Sequence, residues 1–544
     1  GTLQVHDEEL VAALSKRTSA GDLQSWTPQG ISTTMRGFAL LSVADKAFTE
    51  NVSRVVLRQL RTKRERVERT GRQIAVHWKP QELSILAWSF ATLALEDSAL
   101  FRAISEQVKR RTDEFGSQEL SNMIWACGKV AYRDIDLMDK VAGESLSKLE
   151  TFTSQEVTNV LWSYATVMVT NGLLIDKLAE RAIEFAPSAE ARHLSGTAWA
   201  LATLRCLHRP ALTAISAAAQ ASIDSGEFGF RSLSNTAWAM ATLQWLDRPL
   251  MAVVAGALQQ VPCDATGAQE LANSTWAYAT LQVQTGDVQS ALATQISAAP
   301  FTTFKPQELA NTAWALATMS SQDQAVLRYL AEAAREGVHK FNATALATTA
   351  WSLGTLRLVD RDIFASMRSR AHEVLSDVRR DELSMLLWTF SRPEVACDLE
   401  DVWDFLHAGM EGIGPIPSAF CLGAPIMEAE QRLLLQDHVD LLRLLPRCSG
   451  ASGGAASPDA VPPAESVAFL QELSEQAAAI QLLSEDPAQF SEIPFHLAEA
   501  TNDFLEQVPR TGEGVDPDIR MLSESFHLSQ PLRRLREENG LKKK

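Results

Sequence analysis

Apolar positions recur along this chain at a spacing that fits helices, and the helices themselves recur. The stretch from Gln307 to Met319, QELANTAWALATM, returns in variants with tryptophan at one fixed place: Trp88, Trp125, Trp162, Trp199, Trp238, Trp276, Trp314, Trp351 and Trp388. The steps between them are 37, 37, 37, 39, 38, 38, 37 and 37 residues, the near-fixed period of stacked repeats rather than of one globular core. With the tryptophan numbered zero, positions −5, −1, +2 and often +6 are apolar, as at Leu309, Ala313 and Leu316, or Leu271, Thr275 and Tyr278. At 100° per residue these fall within about 60° of one another and predict one buried stripe on a helix of about four turns. Small residues at −4 and +3, such as Ala310 and Ala317, permit close approach of a neighbouring helix.

A second helix is expected after each unit. Its start is marked by a turn and an early proline in Leu207-His208-Arg209-Pro210 and Leu246-Asp247-Arg248-Pro249, where proline suits the first helical turn. Helix-favouring segments follow, from Ala211 to Ile223, Val288 to Ala298 and Ala325 to Ala334. The expected fold is therefore all-α, a right-handed α-solenoid of helical hairpins with about 38 residues per repeat.

The ends of the array set the expected organisation. Residues 1–80 read as a degenerate capping repeat, PQGISTTMRGFALLS from Pro28 to Ser42 with Arg36 where tryptophan would stand, followed by a basic helical insertion. Between Arg54 and Lys79 that insertion carries nine basic and two acidic groups, either a solvated helix face or a phosphate-contacting strip. Residues 81–394 form the nine-repeat solenoid, 395–447 a helical C-terminal cap, 448–464 a Gly/Ala/Ser/Pro linker, and 465–544 an acidic, partly disordered helical tail. Within that tail, Glu465 to Glu485 is a good amphipathic helix.

Charge changes the picture locally. The chain total is −17, but residues 1–80 carry +5, residues 81–394 carry −8 and residues 395–544 carry −14. What matters for a polyanionic partner is a basic face, not that total. The six cysteines (Cys127, Cys206, Cys263, Cys397, Cys421, Cys448) form no CxxC pair and no His cluster accompanies them; they read as reduced thiols, with no metal and no cofactor implied. No apolar run is long enough to span a bilayer, so no membrane partner is expected. Beginning at Gly1 rather than Met, the chain reads as a processed or partial sequence, and targeting is not observable in it. No phosphate loop, HExxH helix, GxSxG elbow or paired carboxylates stand at a persuasive spacing, so the expectation is a binding protein rather than an enzyme.

A second row lies beside the apolar stripe. Positions −7, −3, 0 and +4 also fall within about 60° of one another. Glutamine fills −7 at Gln81, Gln118, Gln155, Gln269 and Gln307, and asparagine fills −3 at Asn122, Asn159, Asn235, Asn273 and Asn311. Elsewhere −7 becomes Arg192, Arg231, Thr344 and Asp381, and −3 becomes Ile85, Gly196, Thr348 and Met385. Tryptophan at fixed register is expected to be the large filler between hairpins. The amides bond across to the adjacent hairpin, or they face a ligand. Helical-repeat RNA binders read one base per repeat with two or three side chains on one face, and this row has that layout.

The QELANTAWALAT motif, repeated about every 38 residues in paired helices over residues 81–394, resembles the octotricopeptide repeat family of organellar RNA-processing proteins. It is also similar to the helical-repeat part of FASTK/RAP-type proteins and to RNA-editing substrate-binding complex subunits. The resemblance implies binding of single-stranded RNA in a mitochondrion or plastid, for transcript processing, stability, editing or translation, alongside other proteins of an RNA-processing complex. On that reading the RNA-binding residues are Gln118, Gln155, Gln269, Gln307, the five asparagines above, Arg192 and Arg231, with Arg61, Lys63, Arg64 and Arg66 extending the electrostatic contact. No RAP domain is recognisable in residues 395–544, so nuclease-like activity has no sequence support. The array is mildly acidic, whereas an RNA-binding solenoid is expected to show a basic concave face. The second reading is therefore a protein–protein interaction scaffold of ARM/HEAT-like type.

Overall fold

The computed structural model describes residues 26–61, 77–283, 286–358 and 360–390, together with Val395. First helices occupy the register −8 to +4 of each repeat, the last one −8 to +2: α1 (Pro28–Leu40), α3 (Pro80–Thr92), α5 (Ser117–Lys129), α7 (Ser154–Thr166), α9 (Ala191–Thr203), α11 (Phe230–Thr242), α13 (Ala268–Thr280), α15 (Pro306–Thr318), α17 (Ala343–Thr355) and α19 (Arg380–Phe390). Between them stand the second helices α2 (Lys46–Arg61), α4 (Ser98–Arg110), α6 (Ile135–Ser147), α8 (Gly172–Phe185), α10 (Arg209–Asp224), α12 (Arg248–Gln260), α14 (Gly286–Ala298), α16 (Gln324–Gly337) and α18 (Arg361–Glu373). The all-α solenoid of hairpins follows directly from this alternation.

In five of the first helices a side-chain cap fixes the start at the same register. The Glu at −6 turns back and its carboxylate accepts from the backbone N–H of the residue before the helix: Glu82 from Lys79, Glu119 from Gly116, Glu156 from Thr153, Glu308 from Lys305 and Glu382 from Arg379, at 2.7–3.1 Å. This is half of a capping box; at Thr153 the hydroxyl completes it by accepting from Glu156 N–H. The other end closes as a Schellman motif. In α3, for example, Ala94 N–H donates to Ala91 O at 3.1 Å and Leu95 N–H to Phe90 O at 2.9 Å. The residue at +6 sits in the left-handed region in nine repeats (Ser42, Ala94, Ala131, Met168, Arg205, Gln244, Gln282, Ser320, Arg357; φ 50–56°). The expectation that +6 joins the buried stripe is thereby corrected: the residue lies past the helix end, and its side chain is exposed in every one of these turns.

Three residues later the chain caps the second helix. Asp97, Asp134, Asn171, His208, Asp247, Asp323 and Asp360 accept backbone N–H groups of α4, α6, α8, α10, α12, α16 and α18. Some of these caps also join repeats: Ser105 donates to Asp134 and Ser216 to Asp247 at 2.6 Å, and Ser53 donates to Asp97.

The described residues fall into two compact units, one built on residues up to Thr266 with Trp276–Leu292, the other on Gly267–Thr275 with Ala293 onward. In the first unit α1, α3, α5, α7, α9 and α11 pack in succession, and α2, α4, α6, α8, α10 and α12 form a second layer. Neighbouring first helices approach each other more closely than neighbouring second helices do. In the second unit α15, α17 and α19 pack in succession, with α16 against α18. The predicted stripe is buried: Leu309, Ala313, Leu316, Leu271, Thr275 and Tyr278 are all inside. Two +2 tyrosines also reach the preceding hairpin, Tyr164 donating to Met138 O at 2.6 Å and Tyr278 to Met251 O at 2.8 Å.

Pro28–Arg61 is itself a hairpin, α1 carrying Arg36 at the tryptophan position. Arg58 and Arg61 thus belong to its second helix, α2. Lys63, Arg64 and Arg66, and the expected C-terminal cap, linker and acidic tail beyond Val395, lie outside the described residues.

Candidate functional site

The row −7, −3, 0, +4 faces outward on the first helices. Gln118, Gln155, Gln269 and Gln307 are exposed; Asn122, Asn159, Asn235, Asn273 and Asn311 are half-buried. The tryptophans of the row are half-buried as well, from Trp88 to Trp314, whereas Trp351 is buried. Their expected role as interior filler is only half the truth. Ring centroids lie 6.3 Å apart between Trp88 and Trp125, 6.3 Å between Trp125 and Trp162, and 6.2 Å between Trp199 and Trp238, with planes inclined by 28–31°. Trp125 thus has a ring on each side, Trp88 and Trp162, and every one of these indoles keeps part of its surface in solvent, in an aromatic ladder bordered by amides.

Small residues at +3 make room for the ladder. A Cβ on Gly128 would stand 3.0 Å from the Trp162 ring and 3.1 Å from the Ser163 backbone, so at this step α5 and α7 approach more closely than side chains allow. Similarly, a Cβ on Gly196, which replaces asparagine at −3, would come within 2.9 Å of Thr158.

The amides have mixed engagements. Asn159 donates to Ser121 across to the preceding hairpin at 3.4 Å, whereas Gln307 donates to Asn311 in its own helix at 2.9 Å. Among the variable positions, Thr344 donates to Glu382 of the next hairpin at 2.6 Å. Arg192 and Arg231 are exposed, and Arg192 pairs with Glu190 at 2.9 Å. The row is therefore mostly neutral: its exposed charges from α1 to α15 are Arg36, Lys129, Arg192 and Arg231, all basic, in a chain of net charge −17.

The repeat of Trp199 departs from its neighbours. Where Glu would cap the helix it carries His193, which is buried, with Nδ1 3.3 Å from Ser154 Oγ of the preceding hairpin. Burial, then the adjacent Arg192, pushes the imidazole below its ordinary range and keeps it neutral. Beside it Thr158 and Thr197 share a 3.0 Å hydrogen bond. The cavity among Ser154, Thr158, His193 and Thr197 measures about 10 Å³, room for about one water molecule and no more.

Among the described residues no group of three or more His, Cys, Asp or Glu could hold a metal ion, and no helix is long and apolar enough to cross a membrane. Cys127, Cys206 and Cys263 are free thiols; burial pushes that of Cys127 well above its usual range.

Solved structures similar to the chain include a homology model of the full-length AP-3 complex in an intermediate open conformation (11% identity, 98% of this chain and 99% of that one, TM-score 0.29). Another is the pentatricopeptide repeat protein PPR10 in complex with an 18-nt psaJ RNA element (11% identity, 99% and 93%, TM-score 0.21). At such scores the fold rests on the helices described above. No curated protein matches the sequence. A family description does match, over residues 5–286 and hence more than half of the 544 residues: the chain belongs to the RNA-editing substrate-binding complex 6 protein family.

Proposed function

We propose that this chain binds single-stranded RNA along the face made by its first helices, as a non-catalytic component of transcript processing, stability, editing or translation in a mitochondrion or plastid. The observation that carries this reading is the half-exposed tryptophan ladder bordered by Gln and Asn. Every base has a π-face, so a ladder of indoles is sequence-tolerant, and base–aromatic stacking contributes about 1–3 kcal/mol per base. Amides at −7 and −3 then offer donors and acceptors to base edges, and departures such as Arg192 and Arg231 distinguish one repeat from the next. Family membership and the largely neutral row point the same way: stacking, rather than dense phosphate pairing, dominates. With one base per repeat, the footprint is roughly nine nucleotides. Lys63, Arg64 and Arg66 would add phosphate contacts beside Arg58 and Arg61.

The test is anisotropy titration of labelled random RNA pools at several salt concentrations. Specific binding that weakens with salt is expected, with a loss of about 1–3 kcal/mol on Trp125→Ala and partial retention on Trp125→Phe. Binding no better than that of an unrelated acidic protein would sink the proposal.

A further inference from the structure

The turns between first and second helices carry a different surface. The left-handed residue at +6 repeats in each hairpin, so in the first unit these turns line one edge of the stack. Over four consecutive repeats that edge exposes large aliphatic side chains: Ile135 (54%), Met168 (66%), Leu173 (61%), Leu207 (44%) and Leu246 (37%). Scattered single exposures are ordinary, but with Leu40 these are all the large hydrophobics exposed among the described residues, and five of the six share one edge. The same edge exposes Arg133, Arg205, Arg209 and Arg248, none of which makes an ion pair among the described residues. Of the carboxylates there, Asp134 and Asp136 meet Lys109 at 3.3 and 3.4 Å and Asp247 meets Ser216 and the α12 N-terminus, while Asp176 is exposed on α8, near Cys206.

We infer that this edge docks an acidic amphipathic helix supplied by a partner protein. Charge selects the occupant, since four unpaired cations flank the apolar row in a chain that is otherwise strongly acidic. Shape agrees: the row is one side chain wide, which suits the stripe of a single helix. Neighbouring helices lie about 8–10 Å apart, so four turns extend over roughly 25–30 Å, the length of about 20 helical residues. An anionic membrane fits less well, because the chain as a whole, at net charge −17, is repelled by anionic lipid, and Tyr132 and Trp245, the aromatics of these turns, are half-buried. RNA fits less well because aliphatic side chains offer bases no stacking surface.

The experiment uses the full chain and a fluorescein-labelled 21-residue helical peptide with Leu at i, i+3, i+4 and i+7 and Glu on the flanks. Controls are a scrambled peptide of equal composition and a version with Lys in place of Glu. Saturable binding of the acidic helix alone is expected, weakened at least tenfold by Leu173→Glu with Leu207→Glu, and about threefold by Arg209→Glu. All three positions are exposed, and circular dichroism of each variant verifies folding. RNA affinity of the same variants should stay within twofold of the parent, which separates this inference from the RNA reading. Equal binding of scrambled and Lys peptides, no response to the substitutions, preferential co-sedimentation with phosphatidylserine vesicles, or a parallel loss of RNA binding would each overturn it.

Discussion

The left-handed residue that ends each first helix allows a prediction whose sign is fixed by the backbone. Ala94 has φ 52° and Ala131 has φ 52°, both are exposed, and neither is glycine or asparagine. A residue with a Cβ in this region costs about 1–2 kcal/mol. Glycine there removes that strain but loses roughly 0.5–1 kcal/mol of additional chain entropy on folding. Ala94→Gly should thus stabilise by about 0.5–1 kcal/mol, and with Ala131→Gly, one repeat away, by roughly twice that. The mirror experiment is Gly226→Ala. Gly226 ends α10 with φ 77° in the same Schellman pattern, its N–H donating to Ile223 O and that of Glu227 to Ser222 O, and nothing lies within 4 Å of an added Cβ. Its cost is accordingly conformational alone, about 0.5–1 kcal/mol. Urea unfolding followed by far-UV circular dichroism reads both, as midpoint shifts in opposite directions at unchanged slope. A lowered midpoint for Ala94→Gly, or none of the expected loss for Gly226→Ala, would refute the argument that these turns are strained.

Three further substitutions test the joints and the surface. Tyr164→Phe removes the 2.6 Å hydrogen bond to Met138 O between adjacent hairpins and should lower stability by about 1 kcal/mol in urea titration. Asp134 is pushed up by partial burial, but this is outweighed by hydrogen bonds from Ser105, Leu137 N–H and Lys109, so its carboxyl titrates below the ordinary value. Its contribution is present above the unfolded carboxylate pKa of about 3.9 and is lost as pH falls through the lower folded value; Asp134→Asn should be less stable at neutral pH and flatter in that acid window, read by thermal melts from pH 2 to 6. Glu190→Gln releases Arg192 from its exposed ion pair and should tighten RNA binding by about two- to fivefold while steepening its salt dependence; weaker binding would take Arg192 off the RNA path.

Much of the fold was legible because its signal is repeated. The tryptophan period set the repeat length, and the angular separation of Leu309, Ala313 and Leu316 from Gln307, Asn311 and Trp314 assigned inner and outer faces, as the structure has them. The devices that end the helices were not legible as such. Glu at −6 reads as a helix-start or surface charge until its carboxylate is seen closing the helix on Lys79 or Lys305 N–H. Pro210 and Pro249 mark two of the turns, but their left-handed backbone was not legible, because that position carries Ser, Ala, Met, Arg or Gln, and the usual Gly or Asn marker is missing. Tryptophan was read as filler since aromatics at fixed register usually are; its exposure depends on where the neighbouring helix stands, and a Gly at 128 hints at that spacing without giving it.

What keeps the outward row available is the location of the joints between hairpins. They lie in the apolar stripe, in the Asp and Ser side chains that link second helices, and in the tyrosines at +2. Positions −7 and +4 carry little of this load, so in a stack stabilised by nearest neighbours they can change from Gln118 to Arg192, or from Thr166 to Lys129, without disturbing the next repeat. The tryptophan is the exception, touching its neighbours while facing solvent. Removing one ring therefore alters both the ladder and the surface beside it, and the two effects separate only when stability and RNA affinity are measured on the same Trp125→Phe and Trp125→Ala proteins.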